Sequence, residues 1–77
     1  REGIYTFKKQ KLGNIIKKLE LYYDVEIVVS DPEILRYEYV GKFRQRDGVM
    51  EILRVIQRIH GFKIRRHEEE NRIVLSK

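Results

Sequence analysis

The sequence contains no cysteine and no tryptophan, one proline and one methionine in 77 residues. Without cysteine there can be no disulfide and no thiolate-bound metal. That absence does not choose a compartment, since many envelope domains also lack cysteine. No apolar run approaches the roughly 18 residues of a membrane-spanning helix, and no signal-peptide pattern occurs. A glycine-rich phosphate loop is missing, and no serine or lysine sits in a recognisable nucleophile setting. His60 and His67 are the two histidines. His60 closes a helical pattern, where an imidazole meets free backbone carbonyls. His67 opens a polar loop with Glu68, Glu69 and Glu70, and consecutive glutamates on a loop do not converge on a metal. These gaps argue against an enzyme, a metal site or a bound cofactor.

The length gives one domain, residues 1–77, with no room for a second core. A chain this short buries only about 60% of its unfolded surface, so modest stability is expected. Seventeen Lys and Arg against twelve Asp and Glu give a formal charge of +5. Such a balance suits an acidic partner or nucleic acid, but the cations are spread. Lys8, Lys9, Lys11, Lys17 and Lys18 form one loose group, and Arg44, Arg46, Arg54 and Arg58 another. Solvated loops and helix backs account for most of them. The opening Arg1-Glu2-Gly3, with no start methionine, reads as part of a longer protein.

Organisation centres on Tyr37 to Ile64, which reads as strand, tight loop, amphipathic helix, glycine stop and strand. Val49, Ile52, Leu53, Ile56 and Ile59 repeat at helical spacing on one face. Asp47 is placed to cap the helix start, and Gly61 to leave its end through a left-handed turn. Upstream, Ile4 to Phe7 reads as a first strand and Leu12 to Tyr23 as a first helix, with Leu12, Ile15, Ile16, Leu19, Tyr22 and Tyr23 on its apolar side. Val25 to Val29 is a β-branched strand. Asp31-Pro32 begins a short helical turn through Leu35, Asp31 capping and Pro32 at its first position. Tyr37 to Phe43 is the third strand. Phe62 to Arg66 and Arg72 to Ser76 form a hairpin across His67 to Asn71. The order is β-α-β-β-α-β-β, an α+β domain.

The chain also repeats itself. A shift of 37 residues places Leu12 on Val49, Ile15 on Ile52, Ile16 on Leu53, Leu19 on Ile56, Tyr22 on Ile59 and Asp24 on Gly61. Val25 then falls on Phe62 and Ile27 on Ile64, which supports two βαβ halves packed together. Leu21, Met50 and Val55 lie off the main stripes and suggest helices covered on more than one side.

RNA-recognition modules share the βαββαβ core order and carry aromatics around a glycine on their third strand. Tyr37-Glu38-Tyr39-Val40-Gly41-Lys42-Phe43 has aromatics and a glycine in a different arrangement. If Phe43 points inward, alternation sends Tyr39 and Tyr37 inward and leaves Glu38, Val40 and Lys42 outside. Those three form no stacking platform. Nucleic-acid binding therefore stays as the alternative to protein interaction. Tyr22 and Tyr23 end the first helix side by side; both rings are expected to pack, with hydroxyls at the rim.

The ordered set of short motifs resembles one family. It runs through Phe7, Leu12-Gly13-Asn14-Ile15-Ile16-Lys17-Lys18-Leu19, Tyr22-Tyr23-Asp24-Val25-Glu26-Ile27 and Val40-Gly41-Lys42-Phe43. It continues with Ile52-Leu53, His60-Gly61-Phe62-Lys63-Ile64 and Asn71-Arg72-Ile73-Val74-Leu75. Together these resemble the C-terminal domain of FecR-type anti-sigma factors and, more distantly, the secretin and TonB-receptor short N-terminal domain. Two positions depart from the family: Asp24 replaces its usual glycine and Asp47 its common serine.

The resemblance implies a non-catalytic periplasmic module of a membrane-anchored regulator whose sigma-factor-binding segment lies outside this sequence. Its partner would be the N-terminal signalling domain of a TonB-dependent outer-membrane transducer. The strands that precede helices should pair with each other, and those that follow helices should join the last strand. Two helices would then lie between a two-stranded and a three-stranded sheet. The expected docking surface is the third-strand edge and its exit loop, Glu38, Val40, Lys42, Arg44 and Arg46, with no catalytic, cofactor or metal residue.

Overall fold

A computed structural model of the protein describes residues 3–77; Arg1 and Glu2, the start of the opening tripeptide, lie outside that range. Its elements are β1 (Ile4–Lys11), α1 (Leu12–Tyr23), β2 (Glu26–Val29), β3 (Glu38–Arg44), α2 (Val49–His60), β4 (Lys63–His67) and β5 (Arg72–Ser76). Three 3-10 turns intervene at Pro32–Arg36, Gln45–Asp47 and Glu68–Glu70. β1 pairs antiparallel with β3, while β5 lies between parallel β2 and antiparallel β4. This is the expected architecture, two helices between a two-stranded and a three-stranded sheet. The halves of the repeat are not closed βαβ units, because each sends its first strand to one sheet and its second to the other.

β1 runs past Phe7, where alternation alone would end it. The register with β3 shifts between Phe7 and Gln10, and Lys9 takes φ 52°. A bulge with one residue in the left-handed region breaks the two-residue period while pairing continues. β2, β3 and β4 begin one residue later than expected, and β3 and β4 also end one residue later.

One core joins everything. α1 buries Leu12, Ile15, Ile16 and Leu19, and α2 buries Ile52, Leu53 and Ile56. They meet Phe7, Tyr39 and Phe43 from the two-stranded sheet and Ile27, Ile73 and Leu75 from the other. The repeat is visible here: Ile15 and Ile52 are both fully buried, as are Leu19 and Ile56. The equivalent rings of Phe7 and Phe43 lie 6.2 Å apart. Met50 and Val55 pack against this core, but Leu21 is 79% exposed and Ile59 64% exposed, against expectation. Ile59 lies seven residues and only about 20° from the buried Ile52 at 100° per residue, on the last turn of α2, so the helical angle does not account for its exposure. Leu21 lies on the side of α1 that no element covers.

Both helices end alike. Asp24 (φ 51°) and Gly61 (φ 72°) take the left-handed conformation and return their N–H to Glu20 and Gln57 carbonyls. Glycine suits that turn best, and aspartate is among the residues that tolerate it. A different reason fixes Gly41: a Cβ there would meet the Tyr39 ring at 2.5 Å. That ring lies over the glycine and stacks on Phe43 with centroids 5.7 Å apart. Asp47 does not cap α2, whose N-cap is Gly48 at φ 84°; its carboxylate instead accepts from the Arg44 N–H. The intervening 3-10 turn folds it back onto β3. Asp31 makes no side-chain cap either, because its carboxylate accepts the Lys77 N–H, although Pro32 does open the turn.

Candidate protein interface

The pairing of β1 with β3 sets which backbone groups of β3 face outward. The Tyr37 carbonyl accepts from Leu12 and the Gln45 N–H donates to Gly3, so odd-numbered residues point at the β1 side. In an antiparallel ladder the even-numbered ones then point away. Glu38, Val40, Lys42 and Arg44 are those residues, and among the described residues no strand lies beyond them. Their side chains stand together on the outer face, and Val40 is 67% exposed. The structure thus brings four of the five expected site residues onto one strand edge. Arg46 lies in the 3-10 turn beyond the strand, also exposed.

Tyr39 and Phe43 fill the inner face, and burial pushes the Tyr39 phenol above its ordinary range. Tyr37 is half-buried and stacks on His60 with centroids 4.6 Å apart. Inward rings leave no aromatic platform on the outer face of β3. That face adjoins an open depression of about 330 Å³ lined by Ile4, Lys42, Phe43, Arg44 and Asp47.

Two side chains that sequence reasoning assigned elsewhere close the ends of this edge. His60 Nε2 lies 2.9 Å from the Glu38 carbonyl oxygen, a bond the imidazole makes as donor. It was expected to serve carbonyls of its own helix, but its ring reaches β3 instead. At the other end the Arg44 N–H donates to Asp47 Oδ2 at 2.9 Å. Nothing in the sequence marks either bond, since each needs the turn or helix to fold back. Between the two plugs, Val40 and Lys42 keep both backbone groups outward.

Charge separates this sheet from the other. Every ion pair between described residues lies around the three-stranded sheet and its connections, among them Arg72 with Glu26 at 2.9 Å and Lys77 with Glu33 at 2.7 Å. Among the described residues Lys8, Lys9, Lys11, Lys42 and Arg44 join none. The glutamate tip of the hairpin is bound by Arg66, His67 and Arg72. Among the described residues no group of three or more His, Cys, Asp or Glu is placed to hold a metal, and no helix is long and apolar enough to cross a membrane.

Comparison with known proteins agrees with this architecture. No curated protein sequence matches the chain. Two crystal structures of a protein from Parabacteroides distasonis, described as a "putative anti-sigma factor", superpose with TM-scores of 0.83 and 0.81. Each is 30% identical over 97% of this chain, which spans only 34% of that longer protein. The sequence profile of the family "FecR, C-terminal" matches residues 4–75. The chain belongs to the FecR C-terminal family.

Proposed function

We propose that this domain is the non-catalytic receiving module of an anti-sigma factor, docking the N-terminal signalling domain of a TonB-dependent outer-membrane transducer. It works in the periplasm as part of a protein that spans the inner membrane. The sigma factor is held by a segment outside this sequence. The family match over residues 4–75 carries the reading. The site is the β3 edge and its exit turn: Glu38, Val40, Lys42, Arg44 and Arg46. An open strand edge offers unpaired N–H and C=O groups, and a partner strand that adds to it gains affinity from main-chain bonds. The neighbouring cations favour an acidic partner surface and act mainly on association rate.

The test is a calorimetric titration with the cognate transducer's signalling domain, run beside random single-stranded RNA. Val40→Pro removes an outward donor and should weaken transducer binding by at least about tenfold, the equivalent of one charge-free bond or two. The pair Arg44→Glu and Arg46→Glu should weaken it several-fold at low salt and lose its effect at high salt. Tight RNA binding without transducer binding would overturn this reading in favour of a nucleic-acid module.

A further inference from the structure

The outward side chains of β3 read Glu38, Val40, Lys42, Arg44, and the strand Glu38–Arg44 is centred on Gly41. Opposite charges stand at its two ends. A two-fold axis normal to the sheet, midway between the Gly41 residues of two copies, would lay β3 antiparallel against the β3 edge of the second. Glu38 then faces Arg44 of the other copy, twice, and Val40 faces Lys42. All four are the residues whose backbone groups point outward, so each opposed pair is of the hydrogen-bonded kind, with Cα atoms about 5.5 Å apart. A slide of two residues either way is worse. One direction opposes Lys42 to Lys42, and directly opposed like charges destabilise a sheet. The other opposes Glu38 to Lys42 and Val40 to Val40 but carries Arg44 past the end of the partner strand, opposite Arg36 in its 3-10 turn, so fewer residues pair.

The two plugs fit the same geometry. In that pairing the Arg44 N–H of one copy donates to the Glu38 carbonyl of the other. Those are the two groups already taken, by Asp47 Oδ2 and by His60 Nε2. Native proteins restrain edge-to-edge association by covering edge groups with a helix or loop, and here a helix residue and a turn residue cover one group each. The caps sit on one donor and one acceptor that would otherwise meet each other across the axis.

We infer that the partner of the β3 edge includes a second copy of this chain, paired about Gly41, and that Asp47 and His60 weaken this pairing by occupying one of the two bonds of each Glu38–Arg44 pair. The product is a four-stranded antiparallel sheet, β1-β3-β3-β1, continuous across the dimer. Its stability rises when the plugs are removed. A dimer built this way covers the edge assigned above to the transducer, so self-pairing and docking compete; that last point alone rests on the proposed function.

Sedimentation equilibrium over a range of protein concentrations tests the inference without any partner. The wild-type chain should self-associate weakly and reversibly. Asp47→Ala with His60→Ala frees one more bond at each end and should tighten the dimer at least about tenfold. Val40→Pro should leave only monomer. The decisive series uses exposed side chains outside the core. Glu38→Arg or Arg44→Glu alone should weaken the dimer several-fold, and the two together should restore it, because the pair is rebuilt with reversed sign. Monomer at every concentration in both the wild type and the unplugged variant overturns the inference. So does a dimer that survives Val40→Pro, or a charge swap that fails to restore association.

Discussion

The two sheets solve the same problem differently. Each edge of the three-stranded sheet receives one side chain from a helix. The outward Ile27 N–H of β2 donates to Glu20 Oε2 at 2.7 Å, and the Phe62 carbonyl at the entry to β4 accepts from Gln57 Nε2 at 2.8 Å. Its charged side chains are largely paired, and Asn71 ties the hairpin to the end of α1 by donating to the Asp24 carbonyl. The two-stranded sheet has a bulge at Lys9, exposed Ile4 and Val40 on its outer face, and, among the described residues, Lys8, Lys9, Lys11, Lys42 and Arg44 outside any ion pair. Only the ends of β3 are plugged. Each half of the repeat gives one strand to each sheet, so the repeat by itself does not set the contrast. It lies in the side chains placed around the strands: Glu26, Arg66, His67 and Arg72 of the three-stranded sheet join ion pairs, whereas none of the described residues of β1 and β3 does.

The comparison holds only if the two sheets are one folding unit, and the largest effect tests that. Leu53 is fully buried on the central helix, in the cluster that touches both inner faces. Leu53→Ala should cost about 2–5 kcal/mol in lost transfer and residual cavity. For a domain this small that lowers Tm by roughly 10 °C or more. Far-ultraviolet circular dichroism and amide exchange on strands from each sheet should report one coincident transition. If the two-stranded sheet melts separately, its openness is a weakness of folding and not a feature of its edge.

A middle-sized effect should turn the closed sheet into something like the open one. Glu20→Ala leaves the part-buried Ile27 N–H without its acceptor, which costs about 1–3 kcal/mol. Glu20→Gln keeps an oxygen in reach and should recover part of that loss. Denaturant melts give the energies, and amide exchange at Ile27 should accelerate in the alanine variant above the rest of β2. Unchanged exchange at Ile27 would show that Glu20 is not what closes this edge.

Much of this was legible in the sequence, for identifiable reasons. Helical periodicity located the buried stripe through Ile52, Leu53 and Ile56, and strand alternation put Tyr39 and Phe43 inside and Val40 outside. Position in the repeat implied the pairing of β1 with β3. What stayed hidden were contacts made across the fold. Asp47 before a glycine and an apolar run has the local pattern of a helix cap, and only the 3-10 turn sends its carboxylate to Arg44. His60 was read correctly as a group that meets carbonyls, but the carbonyl belongs to a strand 22 residues away. Leu21 and Ile59 show the limit from the other side: an apolar residue on a helix says nothing about whether a neighbour covers it.

The smallest effect concerns how the open sheet's exit turn is tied to the rest. Tyr23, at the end of α1, donates its hydroxyl to the Gln45 carbonyl at 2.8 Å, and its ring meets Tyr5 edge-on at 6.2 Å. Burial first, and then the nearby Tyr5 and Asp47, push its phenol from 10.0 up to about 12. The protonated hydroxyl is the form the fold prefers, since a phenolate cannot donate and would face the Asp47 charge. A raised value means that the folded chain holds its proton longer than the unfolded chain does. The resulting stability is therefore complete below pH 10 and is lost as pH rises toward and through 12. Wild type and Tyr23→Phe should be melted side by side from neutral pH upward. The wild type should be the more stable at neutral pH, and its advantage should shrink across that window while other lysines and tyrosines titrate equally in both. A gap that stays constant to high pH would mean that the ring alone, and not its hydroxyl, fastens the Gln45–Asp47 turn to α1.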